Sequence, residues 1–110
     1  MIPKTIAEIE ARIRQSQSIP DTRRAELLAL VATLKQEVGE LAKTRGEQAQ
    51  NIAAHTRAYA DEVIIEGGRP AARQSAQDRL TGSVSEFEQT HPKLVEVVNR
   101  IATMLSNLGI

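Results

Sequence analysis

The amino-acid sequence predicts an all-α fold: an elongated, antiparallel, coiled-coil-like helical hairpin of about four helical segments with a long second helix. Large aliphatic residues recur at alternating spacings of four and three along most of the chain, which is the repeat of one apolar helix face. Aromatic residues make up only 2% of the 110 residues, so the core must be aliphatic, which suits helix-to-helix packing. We expect residues 1–110 to form a single helical domain, since a chain of this length has room for one core.

The first helix is expected over about residues 5–16. Thr5 and Glu8 stand three residues apart, the spacing of a capping box, in which two side chains bind the free backbone amides of the first turn. The apolar face that follows consists of Ile2, Ile6, Ile9 and Ile13. A polar run at 15–17 is expected to end the helix.

The second helix is expected over about residues 19–66, with Ser18 as its N-cap, and is either continuous or broken near 43–48. Its apolar stripe begins with Leu27, Val31, Leu34, Val38 and Leu41. Two successive steps of four then interrupt the stripe, and Gly39 and Gly46, each costing about 1 kcal/mol relative to alanine, flank the interruption. A continuous helix of this length would extend about 70 Å.

Two further helices are expected, over about residues 70–89 and 92–107. Two glycines at 67–68 predict a chain reversal before the first of them, and the residues at 109–110 are expected to close the second. Pro92 removes a backbone donor between the two helices, yet the apolar stripe keeps its phase across it. These helices are therefore expected to be nearly collinear and antiparallel to the long helix.

A homodimer is expected because the distal half of such a hairpin, about residues 46–85, has only two helices with which to bury its apolar stripes. Paired hairpins would form a four-helix arrangement. Tyr59 and Phe87 lie on these stripes, and aromatic side chains often anchor the recognition of a protein partner. The expected dimer or partner face consists of Ile52, Tyr59, Val63, Leu80, Val84 and Phe87.

Charge and composition argue against several classes of function. Lys plus Arg equals Asp plus Glu at 14 each, so no cationic excess favours nucleic acid or an anionic membrane surface. Without cysteine there is no disulfide or thiolate chemistry, and no apolar run approaches the ~20 residues that span a bilayer. The N-terminus turns acidic too early for a signal peptide. We expect a bacterial cytoplasmic protein that is not an enzyme, without a cofactor, bound metal, nucleic-acid partner or small-molecule substrate.

Glu88 and His91 form a Glu-x-x-His pair, which suggests an alternative function as a metal-binding bundle of the di-iron type. Such a site needs a second pair, and His55, the other histidine, has no glutamate three residues before it, so symmetry within a dimer would have to supply it. Pro92 also ends the helix beside the pair. We instead expect His91 and Pro92 to be helix-junction residues, with the His91 ring bonded to a backbone group that Pro92 leaves free.

Two further sets of residues carry a functional and a simpler interpretation. His55 precedes Tyr59 by four residues, which permits an acid–base site, but an exposed or interfacial histidine is the simpler interpretation. Arg69, Arg73 and Arg79 suggest a second alternative function, weak binding of an anion or nucleic acid. Because no aromatic residues alternate with these arginines, we expect a solvated helix face.

The C-terminal sequence resembles a known protein family. It contains FEQTHPKL at residues 87–94 and closes with MLSNLGI at 104–110. These stretches are similar to those of small, bacterial, all-helical proteins with a domain of unknown function, whose chains end in F-E-x-x-H-P-x-L and then L-x-x-L/M-G-I. Members also begin like residues 6–41, whereas 43–72 look like added length. The resemblance implies a helical fold but no activity, ligand or partner.

Overall fold

A computed structural model describes residues 2–64 and 69–108 and confirms the all-α class. The described residues contain no strand and form five α-helices and one short 3₁₀ turn. These are α1 (Ile2–Gln15), α2 (Asp21–Ala42), α3 (Gly46–Ile64), α4 (Pro70–Val84), the 3₁₀ turn (Ser85–Phe87) and α5 (Pro92–Leu108). None of these helices has the length and apolar character needed to cross a bilayer. The features expected at 67–68 and 109–110 lie outside the described residues.

Helices α2 to α5 form an up-and-down four-helix bundle, and α1 lies along α2 and α3. Each bundle helix packs against its neighbours in the chain, and α5 closes the bundle by packing against α2. Consecutive helices run antiparallel because short connections join them. The molecule measures 37 × 26 × 22 Å. Its longest dimension is thus close to the length of α2 alone, which at 22 residues extends about 33 Å.

The structure departs from the predicted elongated hairpin because the long second helix is two helices that fold back on each other. The break falls at residues 43–45, inside the interval 43–48 where the sequence predicts a possible break. There the amides of Lys43 and Thr44 donate to the carbonyls of Glu40 and Leu41, at 3.2 and 3.1 Å, which tightens the last turn of α2. The reversal places α3 against α2, so the apolar stripes of both helices face each other within one chain.

The last two helices are also not collinear, because α4 and α5 pack side by side. α4 ends at Val84 and tightens into the 3₁₀ turn, after which the amide of His91 donates to the carbonyl of Phe87 at 2.7 Å. The amide of Val95 donates in turn to the carbonyl of His91 at 3.3 Å. Pro92, which has no amide hydrogen to satisfy, is the first residue of α5. The proline therefore starts a new helix after a reversal and does not kink a continuous one.

Contacts with α3 replace the capping box predicted for α1. The helix begins at Ile2, so Thr5 lies inside it and is buried. The Thr5 hydroxyl accepts a hydrogen bond from the side-chain amide of Gln50 at 3.3 Å. Glu8 binds the guanidinium of Arg57 at 3.0 Å and does not reach back to the start of α1. Both side chains therefore set the position of α1 on α3.

An arginine side chain organises the connection between α1 and α2, in place of the cap predicted at Ser18. The Ser18 hydroxyl pairs with the hydroxyl of Ser16 at 3.0 Å, and no side chain caps the first turn of α2. Arg24, from within α2, instead donates to the carbonyls of Ile13, Ser16 and Ile19 at 3.3, 2.6 and 2.9 Å. One guanidinium thus satisfies carbonyls at the end of α1 and in the loop that follows it.

The core is aliphatic, as the low aromatic content predicts. Tyr59 and three isoleucines of α1 are nearly fully buried, whereas Ile2 is partly buried. The apolar stripe expected for α2 is entirely buried. The fully inaccessible α2 residues are Leu27, Val31, Leu34, Val38 and Leu41.

Candidate functional site

The residues predicted to form a dimer or partner face lie in the interior of one chain. The reversal between α2 and α3 covers this face with other helices of the same molecule. Val63 is partly exposed, and the other five are at most 3% exposed: Ile52, Tyr59, Leu80, Val84 and Phe87. Self-association therefore stays a prediction, and it requires a different surface.

His91 and Pro92 lie at a helix junction packed around Phe87. The edge of the His91 ring meets the Phe87 ring at a centroid distance of 5.8 Å and an interplanar angle of 87°. The His91 Nδ1 lies 3.0 Å from the hydroxyl of Thr90, so the ring is bonded to a side chain and not to the backbone group that we predicted. Arg45, from the α2–α3 turn, lies 6.0 Å from the centre of the Phe87 ring. Phe87 thus connects two chain reversals at one end of the bundle.

Among the described residues, no hydrogen bond or ion pair joins Glu88 to His91 or His55 to Tyr59. Glu88 is exposed and His91 is half-buried. Over residues 2–64 and 69–108, no group of three histidine or carboxylate side chains could hold a metal ion. His55 is half-buried on α3. The Tyr59 hydroxyl lies 3.5 Å from the carbonyl of Ala102 on α5, so the phenol points into the bundle.

The three arginines of the predicted anion-binding tip differ in their exposure to solvent. Arg69 and Arg79 are exposed, whereas Arg73 is half-buried and lines a small pocket between α3, α4 and α5. This pocket has a volume of about 160 Å³, and we call it the Tyr59 pocket. Its lining residues are Tyr59, Val63, Pro70, Arg73, Gln74, Gln77 and Ser106.

Opposing influences act on the phenol of Tyr59 in this pocket. Burial raises the pKa of Tyr59, because the charged phenolate loses solvation. A hydrogen bond with Ser106 and the positive charge of Arg73 each lower the pKa, by less than burial raises it. Sequence reasoning named Tyr59 and Arg73 separately, and it missed the pocket because its residues come from three helices.

We expect stability to fall above pH 10 more steeply in the wild type than in Tyr59→Phe. The folded state holds the phenolic proton more tightly than the unfolded chain, whose tyrosine titrates near pH 10. The stabilisation is therefore fully present below about pH 10 and is lost as the pH rises towards the folded-state value, by at most about 1.4 kcal/mol per pH unit. Urea denaturation of both proteins at pH 9, 10 and 11 measures the difference, and parallel curves would contradict the prediction.

A second, larger concavity runs between α2 and α5, and we call it the α2/α5 groove. It is open to solvent and has a volume of about 780 Å³. Leu30 and Met104 form its apolar floor, and both are partly buried against the core. The charged residues of its rim are Arg23, Glu26, Glu96 and Arg100.

Comparison with protein families places the chain in one of them. A family model described as "Domain of unknown function (DUF4404)" matches residues 30–110, which is 81 of the 110 residues. The chain belongs to the DUF4404 family. The DUF4404 match begins inside α2 and includes α3, α4 and α5 completely as described. No curated protein and no solved structure matches the chain.

The DUF4404 match covers some, but not all, of the stretches that resemble the family in the sequence. The C-terminal stretch at 87–110 lies within the match, and so do residues 43–72, which looked like added length. Residues 6–29, which also resembled family members, lie outside the match. The whole lining of the Tyr59 pocket falls in the matched part, whereas the α2/α5 groove has Arg23, Glu26 and Ala29 outside it.

Proposed function

We propose that this DUF4404 protein is a non-enzymatic structural or interaction protein that pairs with a second copy of itself through the α2/α5 groove. The observation that carries the proposal is the apolar floor of this groove, where Leu30 and Met104 stay partly exposed between two long helices. Apolar surface that is enclosed by a polar rim is typical of protein interfaces.

The rim charges favour a second copy as the occupant. Two arginines and two glutamates give the rim no net charge, so an identical surface can place cations opposite anions. A strongly acidic or basic partner would meet as many like charges as opposite ones. Glu96 and Arg100 are exposed and form no ion pair with any described residue, which leaves both available to a partner.

The size of the surface predicts a weak dimer. α5 has 17 residues and so extends about 25 Å, and two adjacent helices are about 20 Å wide. Each copy thus contributes roughly 500 Å², and the total lies at the low end of specific interfaces. We expect dissociation in the micromolar range or above.

We expect Leu30→Glu to abolish dimerisation, because each two-fold pair would bury two carboxylates in the apolar floor. Sedimentation velocity from low micromolar to millimolar concentration measures the association of wild type and variant. Ala54→Glu, at an exposed position on α3 outside the groove, is the matched control and should dimerise like the wild type.

Arg100→Glu provides a variant that removes no apolar contact, since this side chain is exposed on the groove rim. It makes the rim acidic and should weaken dimerisation, more so at low salt. Melting curves establish that each variant is folded. A wild type that stays monomeric up to millimolar concentration, or a Leu30→Glu variant that dimerises normally, would refute the proposal.

A further inference from the structure

The Tyr59 pocket contains hydrogen-bond donors without partners. The side chains of Arg73 and Gln77 are half-buried, and neither forms a hydrogen bond or ion pair with a described residue. Gln74 differs, since its amide nitrogen donates to the carboxylate of Asp78 at 2.9 Å. Burying part of a guanidinium costs free energy when no counterion compensates for the lost water, and none of the described residues supplies one. Arg73 at the wall of a concavity therefore points to a ligand.

We propose that the Tyr59 pocket binds a small oxyanion, a carboxylate or phosphate group, with the Arg73 guanidinium as its principal partner. The Gln77 amide lines the same pocket and supplies neutral donors. Val63 and Pro70 provide apolar wall for a few carbon atoms of the ligand. The inference is independent of self-association, because the pocket shares no residue with the α2/α5 groove.

The electrostatics of the pocket agree with an anionic ligand. Arginine presents a planar fork of donors that matches the two oxygens of a carboxylate or phosphate. No carboxylate side chain from residues 2–64 or 69–108 lines the pocket, and Arg73 forms no ion pair with any of these residues. Tyr59 is a neutral phenol below about pH 10 and does not compete as an anion. The first residue of α4, Pro70, also lines the pocket, which places the positive end of that helix dipole nearby.

The volume of the pocket limits the size of the ligand. The volume of this pocket is roughly 160 Å³. Pockets for drug-sized ligands and cofactors have volumes of about 300–1,000 Å³. The pocket therefore suits a phosphate ion, or a carboxylate on a short carbon chain, and not a nucleotide.

The chain contains a single tyrosine and no tryptophan, so the intrinsic fluorescence of Tyr59 reports directly on the pocket. We expect a saturable change in this fluorescence when inorganic phosphate or acetate is added at constant ionic strength, with sodium chloride as the balancing salt. Arg73→Gln should weaken binding about tenfold or more, since it removes a charge-assisted hydrogen bond. Arg79→Gln removes the same charge from an exposed site on the same helix and should bind like the wild type.

The two anions distinguish the chemical group that is recognised. Saturation with phosphate alone would assign a phosphate ligand, and saturation with acetate alone would assign a carboxylate. The proposal is overturned if neither anion gives a saturable change in the wild type, or if Arg73→Gln and Arg79→Gln bind equally. Melting curves without anion show whether Arg73→Gln is folded, and Gln77→Leu, which removes a neutral donor, is a second variant expected to bind more weakly.

Discussion

Replacing Leu80 with alanine is expected to lower the free energy of unfolding by about 2–5 kcal/mol, the usual cost of removing a buried leucine side chain. Leu80 is fully buried on α4, the helix that packs between α3 and α5. A single domain has roughly 5–15 kcal/mol of stability in total, so this loss is a large fraction of it. Urea denaturation followed by far-UV circular dichroism, at a concentration where the wild type is monomeric, measures the change.

The Leu80 substitution also distinguishes the observed bundle from the hairpin that the sequence predicts. On a hairpin, Leu80 would lie in the dimer face, and its truncation would weaken association while leaving the monomer folded. Arg79→Ala is the matched control, because this neighbour is exposed and its loss should change stability by less than about 0.5 kcal/mol. An unchanged unfolding free energy for Leu80→Ala, or equal effects of the two substitutions, would contradict the bundle.

The sequence predicts which side chains are buried better than it predicts which helix or chain covers them. The spacing of four and three in α2 picks out residues that are all fully buried, from Leu27 to Leu41. The same spacing placed Ile52 and Leu80 on a face for another chain, and the structure buries both within one chain. Periodicity reports which side of a helix avoids water, whereas the identity of the covering helix depends on where the chain reverses.

Chain reversals were the feature that periodicity could not resolve. The apolar stripe continues in phase across Pro92, yet α5 folds back against α4 there. Gly39 and Gly46 flank the same interruption, but Gly39 stays within α2 and Gly46 begins α3. A chain reversal needs only a few residues. When the chain folds back, the apolar stripe of each helix packs against several helices instead of one. Whether the chain reverses therefore depends on the total apolar surface that the fold buries, and no local sequence pattern contains this information.

Candidate sites were predicted least well, because their residues come from different helices. The Tyr59 pocket joins Tyr59, Arg73 and Ser106 from α3, α4 and α5. Thr5 and Glu8 have the spacing of a local cap, yet they contact residues of α3 that are 45 and 49 positions away in the sequence. Local spacing predicts an interaction only where no tertiary partner offers a better one.

Arg24→Ala is expected to lower the free energy of unfolding by about 2 kcal/mol, within the range of roughly 1.5–3 kcal/mol for hydrogen bonds to charged groups. Its guanidinium donates to the carbonyls of Ile13, Ser16 and Ile19, and the side chain is only 23% exposed. The ion pair with Asp21 adds little, because that carboxylate is almost fully exposed. Arg24→Lys keeps the charge without the planar fork and should retain less than half of the stabilisation.

Arg23→Ala is the matched control, since Arg23 is the preceding residue, is 57% exposed and has only a 3.6 Å surface ion pair with Glu26. At a concentration where the protein is monomeric, so that the place of Arg23 on the groove rim has no effect, we expect this control to change stability by less than about 0.5 kcal/mol. Hydrogen exchange then shows which part of the molecule is affected. Amides of α1 should exchange faster in Arg24→Ala, because the end of α1 has lost its attachment to α2. Protection of the amides in α4 and α5 should change only as much as global stability does. Equal effects of the two alanine variants, or unchanged relative protection of α1, would mean that apolar packing alone holds α1 on the bundle.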